Sequence, residues 1–576
     1  MGRRSRFPEA FARNRALWAL GALIALLMLP NFVWLWYSHG IITWVCALIV
    51  PAILLLTLFS ALGNHLWIAC FLLTPFAILA PLETYYIASY FRPTSVEVLA
   101  TVFATNVQET IEYLGDEIFP LCLCLAAATS IALLASWWSL QMRLRWSHAS
   151  RAWVLASAIA APFTVVAVAS GISAGGLSQR FGNALQMVTA LTDAIESGYP
   201  FGLVARIADY RREWTKMRNE AARLDSFRFG ATRAQVPAEH QAYVLVIGES
   251  SRRDHWQLFG YSRPTNPELM HVKNLVPIDN MMSSWSASAM AIPMIVTRKP
   301  ASSHSINWPE PSIVRAMQEA GFETFWISNQ MAIGKDDSPT SIFSMQAGRV
   351  RFLNHASWIS AGNYDGKLVG ALTDALENSH KDVFIVLHMM GSHERYDNRY
   401  PREFAIFGPT LADGASNVAS RDRRQNSYDN SILYSDHVLG AIIRVLQKRS
   451  GISALWFESD HGEDLPTATC SLLGHGNSTP YDFEIPAFFW FSDAYASTYP
   501  ERVASLGENA GKLTTSAVTF ESLIDMAGID FPGHDKTMSL FSPLWHPITR
   551  MVNGLWEVDI DRAVLSKPCG LALPPD

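Results

Sequence analysis

The chain has 576 residues, of which 49% are hydrophobic and only 17% charged, and its 45 basic against 51 acidic side chains leave a net charge of −6. Soluble domains are about 25% charged, so a wholly soluble or disordered protein is excluded, as is a nucleic-acid binder relying on a basic balance. The length suits about two to four domains.

Nearly all the long apolar runs come before residue 180, and five approach the ~20 residues that a bilayer crossing needs: Ala16–Tyr37, Ile41–Leu62, Leu66–Tyr86, Phe119–Leu140 and Trp153–Ser173. The first is too long for a cleaved signal peptide, shows no small-residue cleavage site and is followed by four more. Arg3, Arg4, Arg6, Arg13 and Arg15 precede the first run, and Arg143, Arg145 and Arg151 lie between the fourth and fifth. The positive-inside rule makes both stretches cytoplasmic and puts everything after residue 175 on the far side. Between Ser89 and Glu117, the spacing of Val96, Leu99, Val102, Phe103, Val107 and Ile111 fits either an amphipathic helix on the membrane or a structured loop. Cys46, Cys70, Cys122 and Cys124 fall in the spans, leaving Cys470 and Cys569 outside; their pairing is not deducible from sequence, but a disulfide-rich scaffold is excluded.

The transmembrane domain is thus expected at 1–175. A polar, helix-prone linker at 176–240 carries Arg206, Arg211, Arg212, Arg218 and Arg223 beside Tyr210 and Trp214, a composition suited to the headgroup surface or to a solvated helix. The remainder, 241–576, reads as α/β. Short apolar runs at Tyr243–Ile247, Thr324–Ser328, Asp382–His388 and Ala454–Glu458 are expected as buried strands, with helices such as Ser312–Ala320 and Asp429–Gln447 between them. That alternation predicts a mainly parallel sheet flanked by helices, with ligands beyond the carboxyl ends of the strands.

Those strand ends carry the chemistry. Glu249 follows the first strand after Gly248, Asp460 and His461 follow the last, and His393 and His475 stand in the glycine-containing loops Gly391-Ser392-His393 and Gly474-His475-Gly476. Two carboxylates and several imidazoles converging on one sheet edge make a divalent-cation site; mixed oxygen and nitrogen ligation suits zinc, with manganese as the other candidate.

The stretches Val246-Ile247-Gly248-Glu249-Ser250, Gly260-Tyr261-Ser262-Arg263-Pro264-Thr265-Asn266-Pro267, Gly391-Ser392-His393, Tyr428-Asp429-Asn430-Ser431-Ile432 and Ser459-Asp460-His461-Gly462-Glu463 together resemble the membrane phosphoethanolamine transferases. These form a sulfatase-like branch of the alkaline phosphatase superfamily. The resemblance spans about Tyr243–Phe491 in motif, and in plan it extends over the five N-terminal spans. It implies an alkaline phosphatase/sulfatase-like fold and one or two zinc ions, with Glu249, Asp460 and His461 as ligands beside a hydroxyl nucleophile. Counting back from Pro293 places that nucleophile at Ser286, with Ser284 and Ser288 as neighbouring alternatives; serine replaces the usual threonine, and Trp285 stands where glycine is common. His393 and His475 are expected at the substrate or a second metal, and Asn329, Lys335 and Glu463 at the phosphate or the ethanolamine ammonium. His388 is expected to be structural, and Arg252, Arg253 and Asp254 to be solvated or to start a helix.

The implied donor is phosphatidylethanolamine. The implied acceptor is lipopolysaccharide (lipid A or a core sugar) or another envelope glycan, reached from a bacterial inner membrane by a periplasmic catalytic domain. Lipid A-modifying members often carry several disulfides, and at most one here points toward a core sugar or glucan. Among rivals, a true sulfatase would need a formylglycine motif with Pro and Arg, which the residues after Ser286 lack. A phosphoglycerol transferase of the lipoteichoic-acid-synthase type shares the expected plan but uses phosphatidylglycerol. A non-catalytic envelope scaffold would need missing ligands, and none is missing.

Overall fold

The structure is a computed structural model that describes residues 6–37, 41–90, 93–94, 99, 117–171, 195–233, 237, 239–304, 308–332, 338–354, 364–413 and 418–575. Lys335 and nearly all of the expected surface segment between Ser89 and Glu117 lie outside them. The chain divides into two compact units, Met1–Arg212 and Glu213–Asp576.

The first unit is helical. Its elements are α1 (Arg6–Tyr37), α2 (Ile41–Trp44), a π-helical stretch Val45–Ile49, α3 (Val50–Ala61), α4 (Leu66–Tyr90), α5 (Ile118–Gln141) and α6 (Ser150–Gly171), followed by α7 (Phe201–Leu224), which carries the chain into the second unit. Among the described residues, three helical stretches are long and apolar enough to cross a membrane: Asn14–Tyr37, Leu66–Ser89 and Ile118–Gln141. The other two expected spans are represented by the shorter apolar helices Val45–Ala61 and Ser150–Ala161. Small side chains, Ala69, Ala77, Ala132 and Ala135, are fully buried where the helices meet, letting backbones approach closely, as packing in lipid requires. Hydroxyls on the apolar helices are satisfied internally: Thr57, Thr74, Thr84, Thr129 and Ser136 each donate to the carbonyl four residues back. Buried Arg206 and Asn31 are paired as well, Arg206 with Glu83 at 3.1 Å and the Asn31 amide with the Tyr199 backbone at 2.7 and 2.9 Å, whereas Ser60 Oγ has no hydrogen bond among the described residues.

In the second unit the strands of the main sheet are β1 (Gln241–Gly248), β2 (Leu275–Pro277), β3 (Glu323–Ser328), β4 (Arg349–Phe352), β5 (Val383–His388), β6 (Ile452–Ser459) and β7 (Ala487–Phe491). They form one seven-stranded sheet in the order β2-β7-β6-β1-β5-β3-β4. From β6 to β4 every pairing is parallel, and β7 is antiparallel to both β6 and β2. All four expected strands are present, each within two residues of its expected ends. β2, β4 and β7 were not expected.

The period-two alternation of β1 builds both cores. Tyr243, Leu245 and Ile247 face α8 (Ser288–Val296), α9 (Ile313–Glu319) and α12 (Thr519–Met526). Ala242, Val244 and Val246 face α10 (Lys367–Glu377) and α11 (Ser420–Lys448). A strand buried on both faces must be continuously apolar, which is why β1 reads as one hydrophobic run. Thr232–Arg233 pairs with Ile529–Asp530, so the chain before β1 already belongs to this unit.

Candidate metal centre and nucleophile

The register of the sheet makes the site. Gly248 of β1 sits opposite Ser459 of β6, so the next residues, Glu249 and Asp460, leave the sheet side by side. The Asp460 N–H donates to Gly248 O at 3.1 Å, and the Ser250 N–H to Asp460 Oδ1 at 3.2 Å. Ser250 holds φ +53°, a left-handed conformation costly for serine that is found at over-determined functional positions. From the next strand, β5, the chain turns through Gly391 at φ +52°, where a Cβ would lie 2.7 Å from Glu249 O. Only glycine lets this loop approach so closely, and its Ser392 N–H then donates to Glu249 O at 2.9 Å.

Glu249, Asp460 and His461 form a buried cluster whose ligand atoms all lie within 4.8 Å of one another. His461 Nε2 is 3.4 Å from Glu249 Oε1 and 3.5 Å from Asp460 Oδ2. His461 Nδ1 lies 2.7 Å from Gly462 O; a carbonyl only accepts, so Nδ1 carries the hydrogen and Nε2 turns toward the carboxylates. Asp460 Oδ2 is buried and lacks a hydrogen bond. Burial opposes ionisation of Glu249, but the hydrogen bond and charge of His461 hold its carboxyl below the usual range. Burial and the Glu249 charge push Asp460 up to about 7. Burial works against the His461 imidazolium, yet the two carboxylates push it up to about 10. Two converging carboxylates, an imidazole nitrogen and an unsatisfied oxygen fit a divalent cation in place of the proton.

The hydroxyl beside this cluster belongs to Ser288. Its Oγ lies 3.2 Å from Glu249 Oε2 and 3.1 Å from His461 Nε2. Ser286, expected there from the count to Pro293, instead lies 3.5 Å from Asn553 O. The reason is local. Trp285 bridges to Asn553, Ala287 is extended, and the helix starts only at Ser288, so the first residue to turn into the cluster is two later than the count placed it.

Among the other expected residues, His475 packs against His461 with centroids 4.3 Å apart and the rings tilted by 45°, and its Nδ1 lies 3.6 Å from Glu463 Oε2. Glu463 is fully buried and accepts from Tyr396 OH at 2.8 Å. His393 is half-buried, its ring 6.5 Å from that of His475, and desolvation lowers its pKa. Asn329 donates to Asp365 at 2.8 Å, whereas its neighbour Gln330 reaches Glu249 Oε2 at 3.2 Å. His388 is structural, enclosed beside Ser328 and pushed down to about 4 by burial. Arg252, Arg253 and Asp254 start a short 3-10 helix, Arg253–His255, with Arg252 at its N-cap, as one of the two expectations had it; Arg252 is not solvated but buried, paired with Asp254 at 2.6 Å and placed over the Tyr481 ring. The Gly260–Pro267 and Tyr428–Ile432 motifs brace each other, Asp429 accepting from Tyr261 and Arg263 at 2.9 and 2.7 Å with His255 at 2.6 Å. Cys470 and Cys569 form a disulfide.

Residues 241–529 match the family model described as Sulfatase. The chain belongs to the sulfatase family. Within it, the chain is 26% identical over 483 residues to phosphoethanolamine transferase EptC of Escherichia coli K12, covering 82% of each chain. It is 24% identical over 510 residues to phosphoethanolamine transferase CptA of Salmonella typhimurium, covering 86% of this chain and 84% of the relative. In structure it is similar to the C-terminal periplasmic domain of Escherichia coli EptC in complex with Zn, with a TM-score of 0.52 and 27% identity over 57% of this chain and 95% of that one. The sulfatase-family match ends on the residues after α12, and it contains the metal-ligand cluster, Ser288, His393 and His475.

Proposed function

We propose that the chain transfers phosphoethanolamine from phosphatidylethanolamine to an outer-envelope glycan through a covalent intermediate on Ser288. The observation that carries this reading is the Ser288 hydroxyl, within hydrogen-bond distance of two members of a buried three-ligand cluster. Glu249, Asp460 and His461 would hold zinc, which when bound lowers the pKa of a hydroxyl and neutralises phosphoryl oxygens. Ser288 donates its proton toward Glu249 Oε2, and its position at the first residue of α8 favours developing negative charge. Ser288 Oγ forms a bond to phosphorus as the bond to the diacylglycerol oxygen breaks. His475, oriented by Glu463, gives that oxygen a proton. In the second step a hydroxyl or phosphate oxygen of the acceptor takes the phosphoethanolamine group, and Ser288 regains its proton. His393 and Gln330 line the same site.

The reading takes the three long apolar helices and the two shorter ones as five crossings, and the arginines before residue 16 as keeping the N-terminus cytoplasmic and so the catalytic unit in the periplasm. The test is mass spectrometry of the full-length protein after incubation with phosphatidylethanolamine and zinc. The expected result is a phosphoethanolamine adduct on Ser288, absent from S288A and retained in S286A. An adduct on Ser286, an adduct only with phosphatidylglycerol, or no adduct would overturn the reading.

A further inference from the structure

Where the chain leaves α8, it lines a cavity of about 410 Å³ with Arg298, Lys299, Trp308, Glu310, Phe520 and Glu521 among its walls. Small-ligand pockets commonly enclose about 300–1,000 Å³. Its polar groups are unevenly satisfied. Arg298 is engaged, holding Glu310 at 3.0 and 2.8 Å and Gly533 O at 2.9 Å. Lys299 is only 1% exposed, and among the described residues no carboxylate comes within ion-pair distance. Among the described residues its Nζ meets only Met290 Sδ at 3.8 Å and the Trp285 ring at 5.3 Å. Among the described residues the indole N–H of Trp308 and Oε2 of Glu521 are also buried without a hydrogen bond, although His534 Nε2 stands 3.6 Å from that carboxylate oxygen.

A buried ammonium without a counter-ion is costly unless something else supplies the charge. Burial pushes Lys299 down to about 8, so it still carries its proton at neutral pH. Burial pushes Glu521 up to about 8, leaving it protonated there and able both to donate and to accept. The three groups therefore ask for different things: an anion, an acceptor oxygen and a hydroxyl. Inorganic phosphate brings the charge and acceptor oxygens, a neutral sugar brings acceptor oxygens and hydroxyls, and a sugar phosphate brings all of these on a body large enough for a cavity of about 410 Å³. Lys299 is also tied to the nucleophile's helix, since Met290 lies two residues beyond Ser288. The nine residues of α8 span about 13 Å, a reach that an extended glycan covers.

We propose that this cavity binds a phosphorylated sugar unit of the acceptor glycan, its phosphate on Lys299 and its hydroxyls on Trp308 and Glu521, while another part of the same glycan reaches Ser288. The inference rests on the transfer reading above and names the class of acceptor.

Two experiments on the full-length protein separate the claims. Calorimetry with glucose 6-phosphate, glucose and inorganic phosphate needs no catalysis. The sugar phosphate is expected to bind wild type most tightly, and K299M to weaken it roughly ten-fold or more, the scale of a lost charge-assisted hydrogen bond. A K299M thermal midpoint at or above that of wild type confirms folding, because an uncompensated buried charge has been removed. Equal binding to wild type and K299M, or none to wild type, overturns the proposal. The second experiment follows discharge of the Ser288 adduct to a lipopolysaccharide core oligosaccharide before and after enzymatic dephosphorylation. K299M should raise KM for the phosphorylated acceptor roughly ten-fold with the saturated rate little changed, and should not discriminate with the dephosphorylated one. An unchanged KM overturns the acceptor assignment, whereas failure of wild type to form any adduct sinks the transfer reading instead.

Discussion

At the scale of single residues, the site is a contest between protons and a cation. His461 is pushed up to about 10 and Asp460 to about 7, so near pH 7 the metal-free cluster holds a proton on the imidazole and part of another on the aspartate. A dication must displace them, so affinity should climb as pH rises, and binding near pH 7 should release between about one and two protons. Calorimetry of zinc binding in buffers of different ionisation enthalpy measures that number, and a value near zero would contradict the ligand set. Gly391 makes a second prediction. Its φ of +52° and the 2.7 Å approach of any Cβ to Glu249 O penalise alanine twice. G391A should cost about 1–3 kcal/mol from the backbone alone and displace Glu249. Zinc content and transfer should therefore fall together while far-UV circular dichroism stays native-like. The proposed nucleophile shows where residue-level reading runs out. Counting back from a proline fixes a stretch of small residues, but which hydroxyl turns inward depends on where the helix begins, and the extended Ala287 decides that. Gln330 escaped notice for a similar reason: at a strand end, one residue of register exchanges the inward and outward side chains, and Asn329 was the neighbour that faced Asp365.

At the scale of elements, the central strands were legible because burial on both faces demands unbroken apolar runs, as in Val244–Ile247 and Phe384–Leu387. The edge strand Arg349–Phe352 was not, because with one free edge it can keep two arginines at the surface. Helix α11 starts at Ser420, nine residues before the expected Asp429, because its first turns are polar and show no apolar stripe. The loop after Asp460 is another element with no apolar signature, and it carries His475. The disulfide from Cys470 ties this loop to Cys569 across 99 residues. Removing that tether in C470S/C569S should cost about 2–4 kcal/mol and loosen His475. The expected readout is a lower thermal midpoint with a fall in transfer rate larger than any loss of bound zinc; unchanged kinetics would show that the loop is held by other contacts, such as Ser478 O with the Ala572 N–H.

At the scale of the whole molecule, the two units meet different solvents. The first exposes Trp18, Trp36, Phe119 and Trp153 at 73–80%, exposure that suits lipid better than water. The second keeps its sheet covered on both faces. The isolated periplasmic domain of EptC, 95% of which is matched here, has been solved by itself. A fragment of residues 213–576 is therefore expected to fold and bind zinc unaided. It should transfer from a short-chain soluble donor at close to the full-length rate and from vesicles much more slowly. Equal rates on vesicles would mean that the first unit adds nothing to donor capture, not even residence at the membrane.

The pairing of Gly248 with Ser459 also has a bearing on biogenesis. Ser250 and Asp460 touch across a sequence separation of 210 residues, and contacts so distant close late because loop entropy must first be overcome. A nascent chain that has delivered Glu249 to its destination holds a lone carboxylate, with no cage for a metal and no activated hydroxyl. On the proposed transfer reading, reactivity toward lipid phosphate would be withheld until most of the second unit has been synthesised and zipped into one sheet. On the same reading, metal capture would be the last act of maturation, and an unfinished chain could not attack membrane lipid.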